Sequence, residues 1–124
     1  MNLDKHLGIE YLEMGDDYIK SRMPVDERTK QPMGLLHGGA SCALAESTAS
    51  MAAFLSIDMS EKVAVGLSLH ANHLKSATEG YVYSKARPLH IGRTTSLWKV
   101  EITDDDNNMV CRVTFTAMYK DIKK

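Results

Sequence analysis

The pattern of apolar and polar positions divides the chain into a β-rich opening, one long helix and a remainder with only β character. Residues 9–25 predict two strands around Gly15-Asp16-Asp17, a polar cluster suited to a hairpin turn. The second strand carries Ile19, Met23 and Val25 and stops near Pro24 and the charged run that follows it. An irregular segment, 29–36, leads into His37-Gly38-Gly39. From about Ala40 to Ile57 the chain lacks Gly and Pro and is rich in Ala, which predicts a helix. Ala43, Leu44, Met51, Ala52 and Leu55 recur near helical spacing and are expected to face a sheet. Many other positions in this helix are small, which lets neighbouring backbone approach closely. Glu46 is its single charged residue.

Beyond the helix, Val63, Val65, Leu67, Leu69 and Ala71 alternate with Ala64, Gly66, Ser68 and His70, as in a half-buried strand. Residues 79–87 predict another strand, broken by Pro88-Leu89-His90-Ile91-Gly92. Trp98, Val100 and Ile102 alternate with Lys99, Glu101 and Thr103, and the polar run at 104–108 reads as a hairpin turn. Cys111, Val113, Phe115, Ala117 and Tyr119 form the apolar face of the last strand. The predicted order is β-β-α-β-β-β-β. The turns are short, so the sheet is expected to be predominantly antiparallel, with one helix packed on it in an α+β fold.

Length and composition narrow the function. The 124 residues fit a single domain spanning 1–124, and 44% hydrophobic content argues against disorder. A chain this small buries a limited core and gains from association with copies of itself. Fifteen basic residues against 16 acidic give a formal charge of -1, so neither nucleic acid nor an anionic membrane is expected as a partner. The N-terminus carries no long apolar run, so no signal peptide or membrane anchor is expected and the chain reads as cytoplasmic. Cys42 and Cys111 are expected as free thiols. His37, His70, His73 and His90 lack the carboxylate or Cys spacing of a metal site, so no metal and no cofactor is expected.

Candidate chemistry gathers between Gln31 and Ser50. Two glycines end a loop where the helix begins, leaving first-turn N–H groups free to face a ligand. Such a terminus favours negative charge, including the oxyanion of an attacked carbonyl. Gly38 has no side chain to keep a carbonyl from its N–H. Glu46 lies two turns further along, with Ser50 one turn beyond it. A lone carboxylate on an otherwise apolar helix is costly unless it is hydrogen-bonded or functional. Taken alone, these residues leave two readings open. Gly-Gly is a common loop ending, and a lone Glu can be a satisfied structural group.

The stretch from Met23 to Phe54, with His37-Gly38-Gly39, six residues and then Glu46, resembles the core motif of the hotdog-fold acyl-CoA thioesterases. It is most similar to the branch with a catalytic Glu in the central helix. That branch includes 4-hydroxybenzoyl-CoA thioesterases, 1,4-dihydroxy-2-naphthoyl-CoA hydrolases of menaquinone synthesis and the proofreading thioesterase of enterobactin synthesis. The likeness continues through Gly66-Leu67, Ala71-Asn72-His73, Glu79-Gly80 and 87–92. It implies a hotdog fold and hydrolysis of aromatic or related acyl-CoA thioesters. Glu46 would serve as nucleophile or general base, and the Gly38 N–H would polarise the carbonyl. Gln31, His37 and Ser50 match residues that orient the thioester and the water. Gly66 is carried over as a substrate-binding position, and His73 matches a residue that reaches a neighbouring subunit's site. Leu74, Lys75 and Ser76, with the loop His90, Ile91, Gly92, Arg93, Thr94 and Thr95, match segments that hold CoA. Members differ in residue order where Arg93-Thr94-Thr95 stands. The resemblance also implies a homo-oligomer, a dimer of dimers with sites between subunits. Three alternatives stand beside this reading. One is a carrier-protein proofreading thioesterase, and another is a non-catalytic acyl-CoA binding protein. The third, a hydratase on the same fold, would need a His-Asp or related pair that this helix lacks.

Overall fold

A computed structural model describes residues 1–122. A short helix α1 (Leu3–Leu7) precedes strands β1 (Glu10–Met14) and β2 (Ile19–Pro24). The long helix α2 (Gly38–Leu55) follows, then β3 (Lys62–His73), β4 (Tyr81–Ile91), β5 (Thr95–Thr103) and β6 (Met109–Asp121). The six strands form one sheet in the order β1-β2-β4-β5-β6-β3, with every neighbouring pair antiparallel. Helix α2 lies on one face and touches β2 through β6. Strand β3 is the edge nearest the helix motif, and it pairs along its length with β6 alone.

Small side chains seat α2. Its buried residues are Ala40, Ser41, Leu44, Ala45, Thr48, Ala49, Ala52 and Ala53. They meet Met23, Val82, Ala86, Val100, Val113 and Phe115 from the strands. This stripe differs from the expected one: Leu55 is exposed, and Ala43 and Met51 are half-buried. The close approach of the sheet selects the alanine face over the face with larger side chains.

Two β-bulges also correct the expected strand patterns. The β3–β6 register shifts between Gly66 and Ser68, so the alternation from Val63 to Ala71 does not mark one face. Ala64 faces the core before the shift and Leu69 and Ala71 face it after, while Val63, Val65 and Leu67 stay exposed. Strand β4 does not break at Pro88; it runs to Ile91 across a shift between Pro88 and His90, where a missing N–H is tolerated. The helix starts at Gly38, two residues earlier than the Gly and Pro pattern suggests. Helix α1 escaped the pattern because it is five residues long and buries none of them.

Enlarging the helix–sheet contact should lift α2 from its seat. Ala49 is fully buried, so Ala49→Leu should cost about 1–3 kcal/mol of stability through overpacking, measured by urea unfolding.

Candidate active site

The start of α2 is organised by the residue before it. His37 is the N-cap, with extended backbone, and its Nδ1 accepts the Gly39 N–H at 2.7 Å. The His37 carbonyl accepts the N–H groups of Ala40 and Ser41. Among the described residues, the Gly38 N–H makes no such bond. The cap therefore satisfies the neighbouring donors and leaves Gly38 as the free one at the positive end of the helix. A Cβ at Gly38 would stand 3.2 Å from Cε1 and Nε2 of His73, so the glycine also makes room for this imidazole at the end of β3. On the helix side, His73 Nε2 lies 4.0 Å from Cys42 Sγ. A cleft of about 290 Å³ opens here, lined by Leu36, Gly38, Ser41, His73, Leu74, Lys75, Ser76 and Val110. Five of the residues proposed from sequence thus meet around one opening.

Glu46 belongs to a second cleft, of about 440 Å³, where Ser50, Met51, Phe54 and Ala64 accompany it. Its carboxylate is exposed and lies against Gly66, where a Cβ would come within 3.0 Å of Oε2. Gly66 therefore matters as space beside the carboxylate. The two clefts are not one site within a chain. Gly38 and Glu46 are eight residues apart on α2, about 12 Å along the axis at 1.5 Å per residue.

The remaining sequence candidates fall elsewhere. Gln31 organises a turn: its N–H donates to the Leu35 carbonyl, and its side-chain oxygen accepts the Met33 N–H. It lines neither cleft. The loop from His90 to Thr95 sits at the other end of β3, where Lys62 Nζ donates to the Arg93 carbonyl at 3.1 Å. Eleven residue steps of roughly 3.3 Å separate that end from His73, a span of roughly 36 Å. Within one chain, Leu74–Ser76 and the loop at 90–95 therefore sit far apart. Lys75, a candidate phosphate partner, is paired with Asp104 at 2.9 Å. That bond, followed by the Asn108 N–H, pulls the Asp104 carboxyl down to about 2. Among the described residues, no group of three or more His, Cys, Asp or Glu is placed to hold a metal ion. No described helix is long and apolar enough to cross a membrane.

Sequence reasoning missed the amino-terminal wall of the Glu46 cleft. Asp4 and Tyr11 line it, together with Ser47. Ser47 Oγ donates to Asp4 Oδ1 at 2.6 Å, and the Tyr11 hydroxyl donates to the Ser47 carbonyl at 3.1 Å. A signal was available: Asn2 caps α1 and Gly8, with φ of 76°, ends it, so a cap and a left-handed stop bracket residues 3–7.

The family model described as the thioesterase superfamily matches residues 33–111. The 1,4-dihydroxy-2-naphthoyl-CoA hydrolase of Escherichia coli is 46% identical over 94% of this chain and 85% of its own length. The proofreading thioesterase EntH of Cronobacter turicensis is 46% identical over 88% of this chain and 79% of its own. In three dimensions, a thioesterase of Haemophilus influenzae superposes with a TM-score of 0.94 at 40% identity, over 98% of this chain and 84% of that one.

The cap at His37 is open to direct test. His37→Ala should lose about 1 kcal/mol of stability in urea unfolding, and His37→Asn, whose side chain also caps, should recover most of it.

Proposed function

This chain belongs to the thioesterase superfamily and is a hotdog-fold thioester hydrolase. From that premise we propose that it hydrolyses aromatic acyl-CoA thioesters at a site built from two copies of itself. The single observation that carries the shared site is that Gly38 and Glu46 open onto different clefts, their backbone positions about 12 Å apart along one helix. No thioester carbonyl touches both within a chain, yet each has an open cleft beside it.

The edge strand supplies the means of joining them. Val63, Val65 and Leu67 are exposed on β3, whose outer backbone groups have no strand partner among the described residues. A long apolar edge of this kind calls for pairing. Glu46 lies beside Gly66, and Gly38 lies beside His73. Antiparallel pairing of two β3 strands about an axis near Leu69 and His70 would lay His73 of one copy opposite Gly66 of the other. It would therefore bring Gly38 of one chain to Glu46 of its partner. The same operation reverses the ends of β3, so the loop at 90–95 of one copy would approach Leu74–Ser76 of the other. We extend this arrangement to a dimer of dimers, as the family resemblance implies.

In this site the Gly38 N–H would donate to the thioester oxygen and stabilise the negative charge that develops there. Glu46 of the partner would act on the carbonyl carbon, either by direct attack or by taking a proton from an attacking water. Ser50, one turn along, would hold that water. His37 would act on the helix start, keeping Gly39 occupied so that Gly38 alone is presented. Direct attack would expel the CoA thiolate and leave an acyl–Glu46 anhydride, which water then hydrolyses to the free acid and the restored carboxylate. Base-assisted attack by water would expel the thiolate and give the acid without that intermediate, and in both routes a proton from the water ends on the CoA thiol. The apolar walls given by Met51, Phe54, Ala64 and the Tyr11 ring suit a planar aromatic acyl group, and the naphthoyl-CoA hydrolase relative supports that class. A carrier-bound acyl group is the second reading, supported by the proofreading relative. We further propose that the enzyme works in the cytoplasm.

Two measurements test the reading. Glu46→Ala should keep the native circular dichroism spectrum and lower thiol release from benzoyl-CoA by about 100-fold or more. Near-parental turnover would remove Glu46 from the mechanism. Mixing Glu46→Ala with His73→Ala chains should restore activity, because each hybrid dimer then contains one site with both halves intact. Demonstrated subunit exchange without recovered activity would rule out the shared site.

A further inference from the structure

Two hydroxyls lie on the buried face of α2, at Ser41 and Thr48, and they are satisfied differently. Thr48 donates to the Leu44 carbonyl, four residues back, at 2.7 Å, and meets Ser21 Oγ as well. That back-bond is a common way to satisfy a hydroxyl inside a helix. Ser41 does not use it. The carbonyl four residues back is that of His37, which takes the N–H groups of Ala40 and Ser41 but not the Ser41 hydroxyl. Among the described residues, Ser41 Oγ has no hydrogen-bond partner, although the residue is only 1% exposed. Arg22 Nε and Ser84 Oγ are the described side-chain atoms that are both unpartnered and wholly covered. The Ser41 oxygen is therefore not sealed in, and the space it borders is the Gly38 cleft. An unpartnered buried hydroxyl costs stability, and a ligand atom in the cleft would offset that cost.

The chemistry of the cleft decides which atom. Ser41 stands three residues after Gly38, on the same side of α2, and its Cα–Cβ bond tilts back toward the helix start. In the proposed shared site the Gly38 N–H holds the thioester oxygen, and the acyl group runs into the partner's Glu46 cleft. The sulfur leaves the carbonyl carbon in the other direction, into the cleft that Ser41 floors. Other donors there are occupied or wet. Gly39 N–H is held by His37, Lys75 Nζ is held by Asp104, and Ser76 is exposed. Leu36 and Val110 flank Ser41 with apolar surface, which strengthens a hydrogen bond made between them. We propose that Ser41 is a further catalytic residue, whose O–H donates to the CoA sulfur as it departs. When the carbon–sulfur bond breaks, its electron pair stays on sulfur, and the Ser41 O–H shares the charge that develops there. Ser41 keeps its own proton, because a thiol is far the stronger acid, and the thiolate takes its proton from water. This assignment rests on the shared-site thioesterase reading.

The test compares kcat/KM of the parent and Ser41→Ala on benzoyl-CoA and on benzoyl thioesters of 4-methoxythiophenol, thiophenol and 4-nitrothiophenol. The aryl thiols carry no pantetheine and become more acidic along that series, so they need progressively less help to leave. Ser41→Ala should lose about tenfold or more on benzoyl-CoA, the loss of one hydrogen bond to a charged group. Its loss should shrink along the aryl series and fall within about twofold for the nitro compound. Urea unfolding supplies a second readout. Removing an unpartnered hydroxyl should leave the midpoint of Ser41→Ala unchanged or raised, whereas Thr48→Val, which breaks a made bond, should lower it. A common loss factor on all four thioesters overturns the inference, as does no loss at all. A loss confined to benzoyl-CoA, with no trend among the aryl thioesters, also overturns it and makes Ser41 a pantetheine contact. A midpoint lowered as far as that of Thr48→Val makes Ser41 a structural hydroxyl instead. A parent that hydrolyses none of the four overturns the thioesterase reading itself, which separates the two failures.

Discussion

Everything at the candidate site depends on how closely α2 sits on the sheet. Ala45, Ala49 and Ala53 have no exposed surface, and their small size lets the helix backbone approach the strands. With the alanine stripe held down, the neighbouring positions emerge along the β3 edge. Glu46 comes out against Gly66, and Gly38 and Cys42 come out against His73. A larger stripe would raise the helix and separate each pair. Gly66 completes the fit, since any side chain there would crowd the Glu46 carboxylate.

Polar groups buried with the alanines fix the seat in position as well as in depth. Thr48 donates to the Leu44 carbonyl and meets Ser21 Oγ of β2 at 2.7 Å, tying the middle of the helix to the sheet. At its far end, Ser56 bonds the Tyr119 hydroxyl, which donates to Ser96, and Ser96 also accepts from the Trp98 indole. Buried polar groups are costly unless partnered, so sliding the helix along the sheet would break bonds that apolar packing alone would not defend. The Lys75–Asp104 pair serves the other end, holding the segment after β3 against the β5–β6 turn beside the Gly38 cleft.

Sequence periodicity revealed what repeats regularly and missed what depends on a local exception. The succession of strands along the chain, the central helix and the 104–108 turn were legible because alternation and the Gly and Pro pattern report backbone periodicity directly; the place of β3 at the sheet edge was not. The face of β3 was not, because one bulge at Gly66–Ser68 exchanges the two sides of the strand and leaves no mark in composition. The helix stripe was read in part: Leu44 and Ala52 are buried as expected, but a rule that favours large apolar residues added Met51 and Leu55 and passed over Ala45, Ala49 and Ala53. At the site, Gly38, His73 and Leu74–Ser76 came from the family resemblance in separate roles, and the fold brings them around one cleft. Gln31 and the loop at 90–95 were not joined to them within the chain, and no pattern along one chain reports a distance that a second copy closes. Asp4 was missed because its importance lies in one tertiary hydrogen bond to Ser47.

The separation of Gly38 from Glu46 also explains features that stability alone would not favour. An exposed apolar edge, a charged residue on a helix otherwise devoid of charge and an uncapped N–H each cost a monomer something. All three lie along the same margin of the molecule, on α2 and β3. In the proposed pairing one contact relieves them together: the edge gains a strand, Glu46 gains a covered environment, and the free N–H faces a substrate carbonyl. A carboxylate acting beside a donor some 12 Å away on its own helix would need a bend that the helix does not show, whereas a two-fold axis supplies the juxtaposition without strain. Activity and association are then one property of this margin. A substitution that blocks β3 pairing should abolish turnover even though every side chain of the reaction is still in place.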